Sequence, residues 1–150
     1  MWGMIISLLS GVLMSIQGVF NTEVTKQTSV WISAAFVQFS ALIVCLIAWF
    51  VTGRESNFMQ LTGVKPVYML TGGIIGAFIT YTVIVGMNGL GPAKAVIFIV
   101  TAQIIAAYLI EWIGLFGVDK VSFHWSRLCG ILLMIAGIAL FKWQDIAASK

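Results

Sequence analysis

Charge interrupts this chain rarely and at nearly regular intervals. No charged side chain occurs over residues 1–22, after which Glu23 and Lys26 follow. A second charge-free run covers 27–53 and is closed by Arg54 and Glu55; a third covers 66–93. Lys94 opens a run that reaches residue 118, broken only by Glu111. Asp119, Lys120 and Arg127 come next, and a last apolar run, 128–141, ends at Lys142. A helix rises about 1.5 Å per residue, so about 20 apolar residues cross a hydrocarbon layer about 30 Å thick. The pattern predicts an all-α membrane bundle of five spans, at about 2–22, 30–52, 67–88, 93–117 and 125–143, in a single domain over 1–150. The fifth span is short and reaches full length only when Arg127 and Lys142 snorkel towards the interfaces.

The tryptophans mark the same limits. Trp2, Trp31, Trp49, Trp112, Trp125 and Trp143 all lie near a predicted span end, where an amphipathic indole favours the headgroup level. Asn88, Gly89, Gly91 and Pro92 break the third span from the fourth, with Pro92 suited to a first helical turn. The first span has no basic segment ahead of it and is followed by others, so it reads as a span and not as a cleaved leader.

Composition agrees. Hydrophobic residues make up 61% of the chain and charged residues 9%, against about 45–50% and about 25% in a soluble domain. Eight basic and five acidic side chains cannot cover a water-soluble surface. The basic residues are scattered, so they form no phosphate-tracking patch and no nucleic-acid partner is expected. Two cysteines and one histidine give no metal signature. No nucleophile–base set, paired carboxylates or phosphate-cradling glycine loop occurs, so neither an enzyme nor a cofactor is expected.

The distribution of positive charge says more than its sum. Five spans leave Arg54, Lys65, Lys120 and Arg127 on the side of the N-terminus, and Lys26, Lys94, Lys142 and Lys150 on the other. Orientation normally follows a Lys/Arg excess on the cytoplasmic side, and here the count is four against four. Either one dominant feature orients the chain, or it inserts both ways and pairs as an antiparallel homodimer of ten helices, with a two-fold axis in the membrane plane.

Helix association in lipid relies on small residues and polar contacts. Gly3, Ser7, Gly11 and Ser15 in span one, and Gly72, Gly76 and Thr80 in span three, recur every four residues and form candidate packing seams. Polar groups in hydrocarbon usually face a bundle interior. Gln17, Asn21, Gln38, Tyr81, Gln103 and Glu111 are therefore the candidate substrate- or proton-binding residues, with Gln103, Ala107 and Glu111 on one helix face. Glu111 is the one acid well inside a predicted span. A carboxyl in hydrocarbon favours its neutral form unless paired, which makes this residue a candidate proton or cation site, or else an interfacial acid that orders the helix end next to Trp112, or a structural partner for Gln17, Gln38 or Gln103. Glu23 reads as interfacial.

Residues 72–77 (Gly-Gly-Ile-Ile-Gly-Ala), 89–93 (Gly-Leu-Gly-Pro-Ala), 102–106 (Ala-Gln-Ile-Ile-Ala), and Glu111 followed by Gly-Leu-Phe-Gly at 114–117 resemble the YdcZ-like five-helix membrane proteins of bacteria, as do Gln17, Gly18 and Asn21. The resemblance is firmest over 70–120. It implies a bacterial inner-membrane protein of the drug/metabolite transporter superfamily, whose larger members carry ten helices in two inverted halves. The family usually has an aspartate where this chain has Glu111, and often a histidine where it has Trp112. The expected function is alternating-access transport of small metabolites or drug-like molecules. A small dual-topology ion channel and a non-transporting accessory subunit are the alternatives.

Overall fold

The computed structural model describes residues 1–54 and 56–148, with side chains described as far as Phe141. Glu55 and Lys150, and the side chains of Lys142 and Trp143, which enter the span limits and the charge count above, lie outside the described residues. The described chain is all-α. Its helices are α1 (Trp2–Gln27), α2 (Val30–Val51), α3 (Gly72–Leu90), α4 (Pro92–Ile113) and α5 (Trp125–Ala148), with short 3-10 turns at Phe58–Gly63, Val67–Thr71 and Leu115–Gly117. Among the described residues, four segments are long and apolar enough to cross a membrane: α1, α2, Val67–Leu90 and α4. In α5 the described apolar stretch is the shorter Trp125–Phe141.

Several boundaries differ from those expected, each for a local reason. Helix α1 continues to Gln27, because Lys26 pairs with Glu23 at 2.6 Å one turn back, so these charges decorate the helix without ending it. Ser29 caps α2 by accepting a hydrogen bond from the Ile32 N–H at 3.2 Å. The third span starts as a 3-10 turn and becomes α-helical only at Gly72. Helix α4 stops at Ile113, not at 117. Gly114 takes the left-handed conformation, φ 77°, and its N–H returns to the Ile110 carbonyl at 2.8 Å, as a glycine beyond a helix end does.

The chain divides into two compact units, residues 1–92 and 93–150. The first is a three-helix unit in which α1, α2 and α3 all touch one another. Its core is small and lies near the α1–α2 turn. It comprises Gly18, Asn21 and Thr22 of α1, Ser33 and Ala34 of α2, and Ile84 and Met87 of α3. The Ser33 hydroxyl donates to the Asn21 carbonyl at 3.0 Å, tying α2 to α1. Gly18 gives α3 its close approach: a Cβ there would stand 2.7 Å from Met87 Sδ. Further along, Trp31 stacks on Tyr81 with ring centroids 4.6 Å apart. The segment after α2 folds back on that helix, with Trp49 Nε1 donating to the Ser56 carbonyl at 3.0 Å and Arg54 lying over the Phe50 ring.

The second unit is a helical hairpin, α4 and α5. Its connection is clasped by aromatic rings: Phe123 packs against Tyr108, Trp112 and Trp125, with centroids 6.4, 6.0 and 5.4 Å away. Large apolar side chains on every helix are exposed, as expected of faces that meet acyl chains.

Candidate functional site

Glu111 occupies the last turn of α4, and Arg127 the first turn of α5. Their side chains meet, Arg127 Nη1 donating to Glu111 Oε2 at 3.0 Å, and each is 43% exposed. The hairpin connection brings them together across 16 residues. It is itself fixed where the Val121 N–H donates to the Glu111 carbonyl at 2.9 Å and the His124 N–H to the Tyr108 hydroxyl at 3.3 Å. The Arg127 guanidinium also lies 5.7 Å from the centre of the Tyr108 ring, within cation–π range. Beside the pair runs a cleft of about 400 Å³ walled by Ile104, Ala107, Gly130, Ile131 and Met134. A second, apolar recess of about 340 Å³ between the same helices is lined by Val96, Thr101, Met134 and Phe141. The arrangement is an apolar-walled cleft with one acid and one base at its end.

This places Glu111 in the last turn of a helix shorter than the predicted span. Because α4 ends at Ile113, Glu111 stands about 13 Å along the axis from the helix midpoint at 1.5 Å per residue. The glutamines are the deep groups. Gln17, Gln38 and Gln103 each lie within about 4 Å of the midpoint of their own helix. Gln38 is half-buried, and its Nε2 would stand 3.4 Å from a Cβ at Gly76. Gln103 is exposed and lines neither recess. Tyr81 is engaged by Trp31.

Gln17 and Asn21 belong to another place, a shallow groove of about 590 Å³ formed by α1 alone together with Ser10, Leu13, Met14 and Phe20. Among the predicted site residues, the structure brings these two together and sets Glu111 against Arg127. Gln17 and Asn21 fall in the first unit, Gln103 and Glu111 in the second. Of the packing seams, Gly76 faces Gln38, while a Cβ added at Gly3, Gly11 or Gly72 would meet nothing within 4 Å; the Ser15 hydroxyl bonds to the Gly11 carbonyl of its own helix at 3.0 Å.

In the sequence Arg127 reads only as a span-end charge. The available signal was its place: it is the basic residue that opens the span after the one containing the acid. Among the described residues no cluster of His, Cys, Asp and Glu could hold a metal ion.

Charge-poor helices of membrane-crossing length, with an acid–base pair against an apolar cleft, define a multi-pass membrane protein. A family model described as "Putative inner membrane exporter, YdcZ" matches residues 2–140, and the chain belongs to that family. It is thus a protein of the inner membrane, and its class is that of membrane transporters. Neither a curated protein nor a solved structure matches it.

Proposed function

We propose that the protein exports small metabolites or drug-like molecules by alternating access, as a homodimer of two inverted copies within the drug/metabolite transporter superfamily. The observation that carries this reading is the Glu111–Arg127 pair, half-exposed at the end of the α4–α5 cleft. An ion pair is a switchable lock. A proton neutralises the carboxylate and releases the guanidinium; a substrate ammonium group replaces the guanidinium at the carboxylate. Either event weakens the tie between α4 and α5 at that end while the apolar walls hold the rest of the ligand. In an inverted pair, two-fold symmetry sets one such lock near each membrane face. The locks then act as opposite gates.

The test is transport by purified protein in liposomes under an imposed proton gradient, scanned over amines, sugars, amino acids and anions. Glu111→Gln should lose coupled flux and retain the wild-type elution profile and helicity. Unchanged coupled transport by that variant removes Glu111 from the mechanism.

A further inference from the structure

The polar side chains of α1 within 2–22 fall into two sets. Ser7, Ser15 and Thr22 are satisfied within the helix: each hydroxyl donates to the carbonyl four residues back, at 2.8, 3.0 and 2.8 Å. Ser10, Gln17 and Asn21 are not. Within residues 1–92, among the described residues, their side chains have no hydrogen-bond partner, and all three line the same groove. Spaced seven and four apart, they form one narrow stripe along the helix. Gln17 is exposed, whereas Asn21 is only 7% exposed, so it retains just a small opening. Unpaired amides at this depth are costly against acyl chains, and helices in lipid associate through just such groups.

The stripe is complementary to itself in one orientation. The midpoint between Ser10 and Asn21 falls at 15.5, about 1.5 Å from the midpoint of α1. Two copies of α1 crossing antiparallel there bring Ser10 of each to the level of Asn21 in the other. The two Gln17 side chains then stand about 4.5 Å apart along the axis, within reach of a reciprocal amide pair, since each amide both donates and accepts. An in-plane two-fold axis generates this contact, and the four-against-four division of Lys and Arg that five spans would give leaves both orientations open.

We infer that the Ser10–Gln17–Asn21 face of α1 is the surface on which a second, inverted copy of this chain docks, with Gln17 pairing with its own counterpart near the two-fold axis. This deepens the homodimer reading above and rests on it.

Cysteine cross-linking in native membranes tests the contact, in a background carrying Cys45→Ala and Cys129→Ala. Gln17→Cys should link to itself. Ser10→Cys alone and Asn21→Cys alone should not, because like positions are about 16 Å apart in the antiparallel register. Differently tagged copies, one Ser10→Cys and the other Asn21→Cys, should link on co-expression. Ile6→Cys with Val24→Cys, both at exposed positions on the same helical side, repeats the reading where Asn21→Cys disturbs insertion. Subunit counting of the unsubstituted protein in liposomes separates the two levels. Dimers without these links, or with Ser10→Cys linking to itself, overturn the α1 contact and leave a homodimer standing. So do links formed only within one chain, from Gln17→Cys to a cysteine placed on α4 or α5. Monomers alone overturn both.

Discussion

The two units hold their helices by opposite means. In residues 1–92 the helices close on small or hydroxyl-bearing side chains, Gly18, Ser33 and Ala34, with Ile84 and Met87 filling the space between. In residues 93–150 the helices diverge enough to leave two recesses between them, and are tied at one end by an ion pair and an aromatic clasp. Lipid gives neither pair a hydrophobic drive to associate. What remains is close van der Waals contact, which is permanent, or a polar tie, which a proton or a charged ligand can undo. In the proposed mechanism the first unit is the scaffold and the second the part that moves.

The largest effect should come from reversing that assignment at the ion pair. Arg127→Ala leaves Glu111 without its counter-charge. Coupled transport in liposomes should fall to background, as for Glu111→Gln, while thermal stability in detergent changes little because both side chains are 43% exposed. The exchange Glu111→Arg with Arg127→Glu restores the tie with its polarity inverted. Wild-type stability without recovery of transport in that exchange would separate lock from ligand site. A large stability loss in Arg127→Ala would make the pair structural and end the contrast between the units.

Next in size is Gly18→Val. Its side chain would enter the space of Met87, and overpacking of this kind costs about 1–3 kcal/mol. Melting in detergent should show the loss, and Gly18→Ala should lose less, because the displaced atoms are the flexible end of a methionine. Ser33→Ala removes the hydroxyl that bridges to the Asn21 carbonyl. Interhelical hydrogen bonds in membranes average about 0.6 kcal/mol, so a small but measurable drop is expected.

Much of this was legible in the chain. Charge-free runs locate the crossing helices, and Gly91 with Pro92 marks the break between α3 and α4, because length and turn chemistry are local properties. Three features were not legible, each for a physical reason. The stop of α4 at Ile113 depends on which of two nearby glycines, Gly114 or Gly117, takes up the helix's last carbonyls, and both have positive φ. The partner of Glu111 is a tertiary fact: Arg127 reads as a surface charge until the hairpin folds. The close approach of α1 to α3 occurs at Gly18, seven residues past Gly11 on the same face and beyond the Gly3–Ser15 seam that the spacing suggests. Periodicity gives the face; only the crossing of α3 selects the height.

Gly11 supplies the smallest expected effect and a sharp discrimination. At Gly11 an added Cβ meets nothing within 4 Å, and the residue is exposed. Alanine is the better helix former by about 0.8–1.0 kcal/mol in soluble hosts, where glycine frees the unfolded chain and exposes its backbone to water. In a membrane much of that helical preference is already enforced by the need to satisfy the backbone, so Gly11→Ala should leave melting and transport unchanged or marginally improved. Gly18→Ala, seven residues on, should be the costlier of two chemically identical changes on one face of one helix. A loss at Gly11 equal to that at Gly18 would mean that another helix seats on the Gly11 face of the first half of α1, about 100° around the helix from Ser10. The three-helix unit would then be one layer of a larger packed scaffold, closed along its whole length and not only near the α1–α2 turn.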